Sequence, residues 1–302
     1  MKKWDGVQGA GYKGGAATRF GWRRDRRGAS GVVVTLLILL VAAGALSMFM
    51  GIYVPIWGKD TEAQQMKKIQ TQMLGLKQNI DLQILAGKSS TFTTRLTIGD
   101  DGGPLFHLTR APGAVQLRPD GGLYLVSNTS DRNDSQGIAR GFLEYSSFNQ
   151  YYVDQTYHYE NGALIVVQGG RTVMKAGPHF DVRREQDGNV TAEITLISLN
   201  GVSAIREGTG DIIVESTLNI YDVTTYSGGA WTQGKAVSIY ITTKYPAVWA
   251  ELFNATLKRS EVGLVEGTDF QVTYSAGAVN ATLLSLNRLD LGIAIVDIQM
   301  GT

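Results

Sequence analysis

No charged side chain occurs between Arg27 and Lys59, and residues 32–57 read VVVTLLILLVAAGALSMFMGIYVPIW. A helix of roughly 20 apolar residues crosses a ~30 Å hydrocarbon layer. The run therefore predicts one transmembrane helix over residues 29–58. Eight basic and two acidic residues precede Ala29, a net +6, while the whole chain is +1, which leaves −5 on residues 29–302. Basic residues gather at the cytoplasmic end of a spanning helix. The N-terminus is thus expected inside and everything after Lys59 outside, with Trp22 at the inner interface and Tyr53 and Trp57 at the outer one. A secretory signal peptide has an apolar core of about 7–15 residues and a small-x-small cleavage site. This run is longer, and it ends in Tyr53-Val-Pro-Ile-Trp57.

Beyond Lys59 the helical pattern continues. Met66, Ile69, Met73, Leu76 and Ile80 recur at spacings of three and four, the apolar stripe of an amphipathic helix. Only Gly75 interrupts it before Gly87, and Pro55 at the bilayer exit is expected to kink the helix rather than end it. The stripe has two candidate occupants, another helix or the chain's own globular part. Inside the bilayer, Ala43, Ser47 and Gly51 form a small-xxx-small ridge on which a second helix can approach closely.

From residue 91 the texture changes to short β-rich runs, including residues 191–198, 211–223, 236–244 and 289–300. Asp120-Gly121, Asn161-Gly162, Asp187-Gly188 and Asn200-Gly201 are hairpin-type turn signals, because Asn and Asp tolerate the positive φ that Gly accepts. One helix is expected after Pro246, with Trp249, Leu252, Phe253 and Leu257 on one face. The expected fold is a mainly β ectodomain, an antiparallel β-sandwich, carried on a long N-terminal α-helix whose first half is transmembrane. The chain divides into a basic leader (1–28), the transmembrane helix (29–58), its amphipathic extension (59–88) and the β-rich extracytoplasmic domain (89–302).

Composition limits the chemistry. The absence of cysteine excludes disulfides and thiolate metal sites. Asn-x-Ser/Thr sequons at Asn128, Asn133, Asn189, Asn254 and Asn280 permit N-glycosylation on the outer side. The three histidines, His107, His158 and His179, fall on separate segments without zinc spacing, and no Gly-x-Ser-x-Gly elbow occurs. His158 and Glu160 share a strand face, and the flanking Tyr157, Tyr159 and Asn161 suggest an exposed hairpin edge. Asp100 and Asp101 before two glycines read as a turn. Asp131, Asn133, Asp134 and Ser135 alternate like calcium ligands, but Gly137 is misplaced and Phe142 stands where a bidentate glutamate belongs, so a solvated loop is expected. The basic segment is short and juxtamembrane and the rest of the chain is net acidic, which argues against nucleic-acid binding. No enzymatic site, metal or cofactor is expected.

Arg26-Arg27-Gly28-Ala29-Ser30-Gly31 directly before the apolar helix resembles the class III signal of archaeal type IV pilin-like proteins. Residues 152–168, beginning YVDQTYHYENGA, are similar to a segment of uncharacterised archaeal membrane-anchored proteins of this layout. The glutamate that bacterial-type pilins keep near the start of the mature helix is missing, since residues 29–58 contain none. The resemblance implies that a prepilin-type peptidase cuts between Gly28 and Ala29. The apolar helix would then move from lipid into a bundle with copies of itself or other pilin-like subunits. A subunit of about 270 residues is bulky for a principal filament protein, which implies a minor or tip role. Two other classes stay open: a single-pass anchored β-domain that binds envelope glycan or protein, and an ectoenzyme.

Overall fold

In the computed structural model of the protein, residues 26–99, 111–128, 135–227, 236–259, 261–284 and 286–301 are described. The chain forms two compact units, residues 1–51 and residues 52–302. The first contains α1 (Arg26–Met48), which passes into a π-helical segment (Phe49–Tyr53). Residues 31–48 are exposed along their whole length, and this helix is long and apolar enough to cross a membrane. Within it, Thr35 Oγ1 donates back to the Gly31 carbonyl at 2.9 Å. The π-helical segment directly precedes the first turn of α2, where Pro55 has no N–H to give to the preceding turn. An i→i+5 turn accommodates such a mismatch without ending the helix.

The second unit opens with α2 (Val54–Ala86). Gly87 terminates it in the left-handed region at φ 61°, donating its N–H to the carbonyls of Gln83 and Ile84. There follow β1 (Thr91–Gly99), β2 (Gly113–Arg118), β3 (Leu123–Ser127), β4 (Ser135–Ala139), β5 (Phe142–Ser147), β6 (Gln155–Glu160), β7 (Ala163–Gln168), β8 (Arg171–Ala176) and β9 (Phe180–Arg184). The chain continues through β10 (Val190–Asn200), β11 (Ala204–Gly208), β12 (Gly210–Ser227), β13 (Val237–Thr242), α3 (Pro246–Leu257), β14 (Phe270–Ser275), β15 (Ala278–Leu283) and β16 (Arg288–Gly301). Three sheets result, in the orders β1-β12-β16-β10-β9, β11-β2-β5-β6-β7-β8 and β14-β15-β13-β3-β4.

The mainly β domain following a long N-terminal helix is therefore present, with one departure from antiparallel pairing among the named strands. The β10 and β16 strands run parallel, from Thr191 opposite Arg288 to Asn200 opposite Asp297. Their side chains explain the arrangement. Ala192, Ile194, Leu196, Leu289 and Leu291 enter one core, whereas Ile197, Leu199, Ala294, Val296 and Ile298 enter another. Both strands thus turn apolar residues to both sides, as buried parallel strands do. The two cores have different plugs. In the first, α3 inserts Trp249, Phe253 and Leu257, and in the second α2 inserts Met66, Ile69, Met73, Leu76, Ile80 and Ile84.

The amphipathic stripe is thereby consumed by the chain's own domain: Ile69, Met73, Leu76 and Ile80 are all 0% exposed. Of its two candidate occupants, the sheets of residues 89–302 are the one found. As a consequence α2 is part of the β-rich unit rather than a free extension of α1.

Two of the four turn signals close hairpins. Asn161 (φ 46°) and Gly162 (φ 78°) form the two-residue loop of β6 and β7, the left-handed pair a type I′ turn requires. Residues 185–189 join β9 to β10 around Gly188 at φ 86°. Asp120-Gly121 and Asn200-Gly201 instead carry the chain from one sheet to another, from β2 to β3 and from β10 to β11. At the first of these the left-handed residue is Gly122 (φ 66°) rather than Gly121, at the second it is Gly201 (φ 140°), and in both the partner of the next strand is left to tertiary packing.

Candidate functional site

The small-residue ridge lies on α1 and the π-helical segment, and Ala43, Ser47 and Gly51 are exposed. A Cβ placed on Gly44 or Gly51 would meet nothing within 4 Å. The backbone of Gly28 and Ala29 lies within the first turn of α1. Pro55 occupies the first turn of α2.

The sequons divide by environment. Asn189 is exposed in the β9–β10 turn, and Asn254 and Asn280 are half-buried. Asn128 is buried at 5% exposure, and residues 129 and 130 of its sequon lie outside the described residues. Asn133 lies outside the described residues, as do His107, Asp100, Asp101, Asp131 and Asp134.

The expectation of an exposed edge at His158 and Glu160 is overturned. Strand β6 is central, paired with β5 on one side and β7 on the other. Its odd residues Tyr157 and Tyr159 enter the α2 core. Its even residues His158 and Glu160, each 1% exposed, point the opposite way, toward α3 and the third sheet. There Glu160 Oε1 accepts from Thr243 Oγ1 at 2.6 Å and from Trp249 Nε1 at 2.7 Å. Its Oε2 accepts from Tyr124 Oη at 2.6 Å and lies 3.1 Å from His158 Nε2. His158 Nδ1 in turn lies 2.7 Å from Glu144 Oε2, and Lys244 Nζ donates to both Glu144 oxygens at 3.0 Å.

The charges alternate along this chain of contacts. Burial pulls the His158 pKa down, but the hydrogen bonds to Glu144 and Glu160 outweigh it and the net shift is upward. Burial likewise pushes Glu144 and Glu160 up, and their bonds to His158 reverse that, so both carboxyls titrate below their usual range. A carboxylate thus stands on each ring nitrogen, and both nitrogens are engaged within the cluster. The cluster is a clamp: one carboxylate on β6 holds β3, the segment after β13, and α3. It borders a depression of about 370 Å³ whose rim includes Phe142, Lys244 and Gly277. Among the described residues, no three His, Asp or Glu side chains are grouped so as to hold a metal ion.

A second depression, of about 390 Å³, lies over the first sheet between the end of α2 and β9, with Phe180, Glu193, Thr195 and Tyr221 in its lining. Beside it, a Cβ on Gly292 would stand 2.9 Å from Thr195 Oγ1. His179 in its wall lies 2.9 Å from Asp81 Oδ1, and Asp81 also pairs with Lys77 at 2.6 Å.

One buried carboxylate escaped the sequence reading. Glu62 is 5% exposed, and its carboxylate accepts the backbone N–H groups of Gln150, Tyr151 and Tyr152 at 3.0, 2.8 and 2.6 Å. The signal was available, because Glu62 stands four residues before Met66 and so extends the apolar stripe with a carboxylate. A charge on the buried face of a helix needs partners.

Neither protein-family models, curated proteins nor solved structures match this chain.

Proposed function

We propose that the protein is a pilin-like cell-surface subunit, of minor or tip type, anchored and assembled through its N-terminal helix. The observation that carries this reading is the uncharged run of residues 29–58 directly after Arg26-Arg27-Gly28, behind a leader of net charge +6. The charge asymmetry favours a cytoplasmic N-terminus and an extracellular β domain. Because the stripe of α2 is buried in its own domain, helix–helix association rests with residues 29–53, and Ala43, Ser47 and Gly51 supply the face for it. A prepilin-type peptidase would free Ala29, and other copies or related subunits would then take the place of lipid around the helix.

A chain without cysteine allows a clean test. In the native membrane, Ser47→Cys is expected to oxidise to a disulfide-linked species, whereas Ala45→Cys on the opposite face is not. Equal cross-linking at both positions, or none at either, speaks against packing through the ridge. The cleft beside Tyr221 and Thr195 favours a second reading, an anchored ectodomain that binds envelope glycan without polymerising.

A further inference from the structure

We propose that the loop between β5 and β6, with Tyr53, Ile56 and Trp57 near the start of α2, forms a foot that seats the β domain on the interfacial layer of the lipid bilayer. The inference rests on the reading of residues 29–58 as a membrane anchor. The loop reads Phe148-Asn-Gln-Tyr-Tyr-Val-Asp154 and contains one charge. Phe148 is 52% and Val153 48% exposed, and Tyr53, Ile56 and Trp57 are about half exposed.

This loop is held rigidly. The Glu62 carboxylate takes its three successive amides, so the loop cannot leave α2 without stranding a buried charge. Asp154 Oδ1 accepts the Asn149 N–H at 2.6 Å, and Asn149 Nδ2 donates to the Val153 carbonyl at 3.1 Å. Gly58 lets the loop lie flat on the helix, since a Cβ there would fall 2.2 Å from the Tyr151 ring. A rigid loop that leaves a Phe and a Val in solvent spends no ordering entropy when it meets an apolar surface.

Its height along α2 identifies that surface. Gly58 is the last residue of the uncharged run and Lys59 the first charge after it. Contacts at Gly58 and Glu62, one helical turn apart, place the loop where the apolar run gives way to polar sequence. Aromatic side chains concentrate at that boundary of a bilayer. The foot has no Lys or Arg among its exposed apolar residues, so its chemistry suits the neutral carbonyl and glycerol layer rather than anionic headgroups.

The test uses the full chain in nanodiscs of phosphatidylcholine, with a nitroxide on one introduced cysteine at a time. The variants are Phe148→Cys, Val153→Cys, Ser47→Cys in the anchor, and Asn189→Cys in an exposed turn. Collision with oxygen and with a water-soluble nickel chelate is measured by electron paramagnetic resonance. The labels at 148 and 153 are expected to favour oxygen, at a depth of roughly 5–10 Å into the headgroup–acyl boundary. The label at 47 should favour oxygen more strongly and that at 189 should favour nickel. Labels at 148 and 153 that behave like 189, while 47 stays in lipid, overturn the foot and spare the anchor. Labels shielded from both reagents mean that a second protein copy covers the loop, which also overturns it. Nickel-favoured collision at all four positions overturns the anchor itself.

Discussion

Glu160→Gln lowers the stability of the β domain by about 3–5 kcal/mol, the usual cost of breaking a buried charge pair, read from urea unfolding of the full chain in detergent. Four donors converge on two oxygens: Thr243 and Trp249 on Oε1, Tyr124 and His158 on Oε2. Glutamine keeps one acceptor and turns an NH₂ group toward donors that have no other partner in the clamp. His158 then keeps Glu144 alone, in a site where it is 1% exposed. By contrast, Lys244→Ala removes an ion pair whose lysine is 54% exposed, and a change within about 1 kcal/mol is expected.

The pH dependence of stability follows from the same contacts. His158 titrates above its ordinary 6.5 in the folded protein, so its stabilisation is complete below pH 6.5 and is lost as pH rises through the raised value. Glu144 and Glu160 titrate below their ordinary 4.5, so theirs is complete above pH 4.5 and is lost as pH falls through the lowered values. The clamp therefore contributes fully between those limits, and Glu160→Gln should flatten both limbs. A wild-type profile without a plateau in that window, or a glutamine variant with unchanged stability, would show that the clamp does not hold the domain.

Leu76→Ala costs about 2–5 kcal/mol, the range for deleting a buried leucine side chain. Leu76 is 0% exposed in the core that α2 shares with Tyr157 and Tyr159 of β6, Ile212 and Val214 of β12, and Val296 of β16. The number separates the two occupants that the sequence left open. If the stripe served only to meet other subunits, Leu76→Ala would weaken assembly and leave the unfolding midpoint of the domain in place. With the stripe buried at home, the midpoint drops in the monomer and at every protein concentration.

How much of this could be read in advance depended on the range of the physics involved. Helix α3 is recognisable because Pro246 starts it and Trp249, Phe253 and Leu257 repeat on one side, both local features. The β6–β7 hairpin is likewise fixed by Asn161-Gly162. Burial of His158 and Glu160 depends on β5 and β7 flanking β6 and on β3 and α3 covering that face, and no local pattern around Tyr157 announces that. A hint lay in Leu164, Ile165 and Val166, a continuous apolar run that needs cover on both faces and so cannot border an open edge. The parallel β10–β16 pair brings together segments separated by α3 and five strands, a pairing that only the shared need to fill two cores decides. In α2 the periodicity gave the stripe but not its occupant, because an amphipathic face has the same sequence whichever surface it meets.

The most direct measurement is the mass of the N-terminal peptide of the protein isolated from its native membrane. A chain beginning at Ala29, with residues 1–28 removed, is the expected result and establishes pilin-type processing of the anchor. A chain that retains Trp4 and Trp22 ahead of the apolar helix contradicts it and leaves a permanently anchored surface domain.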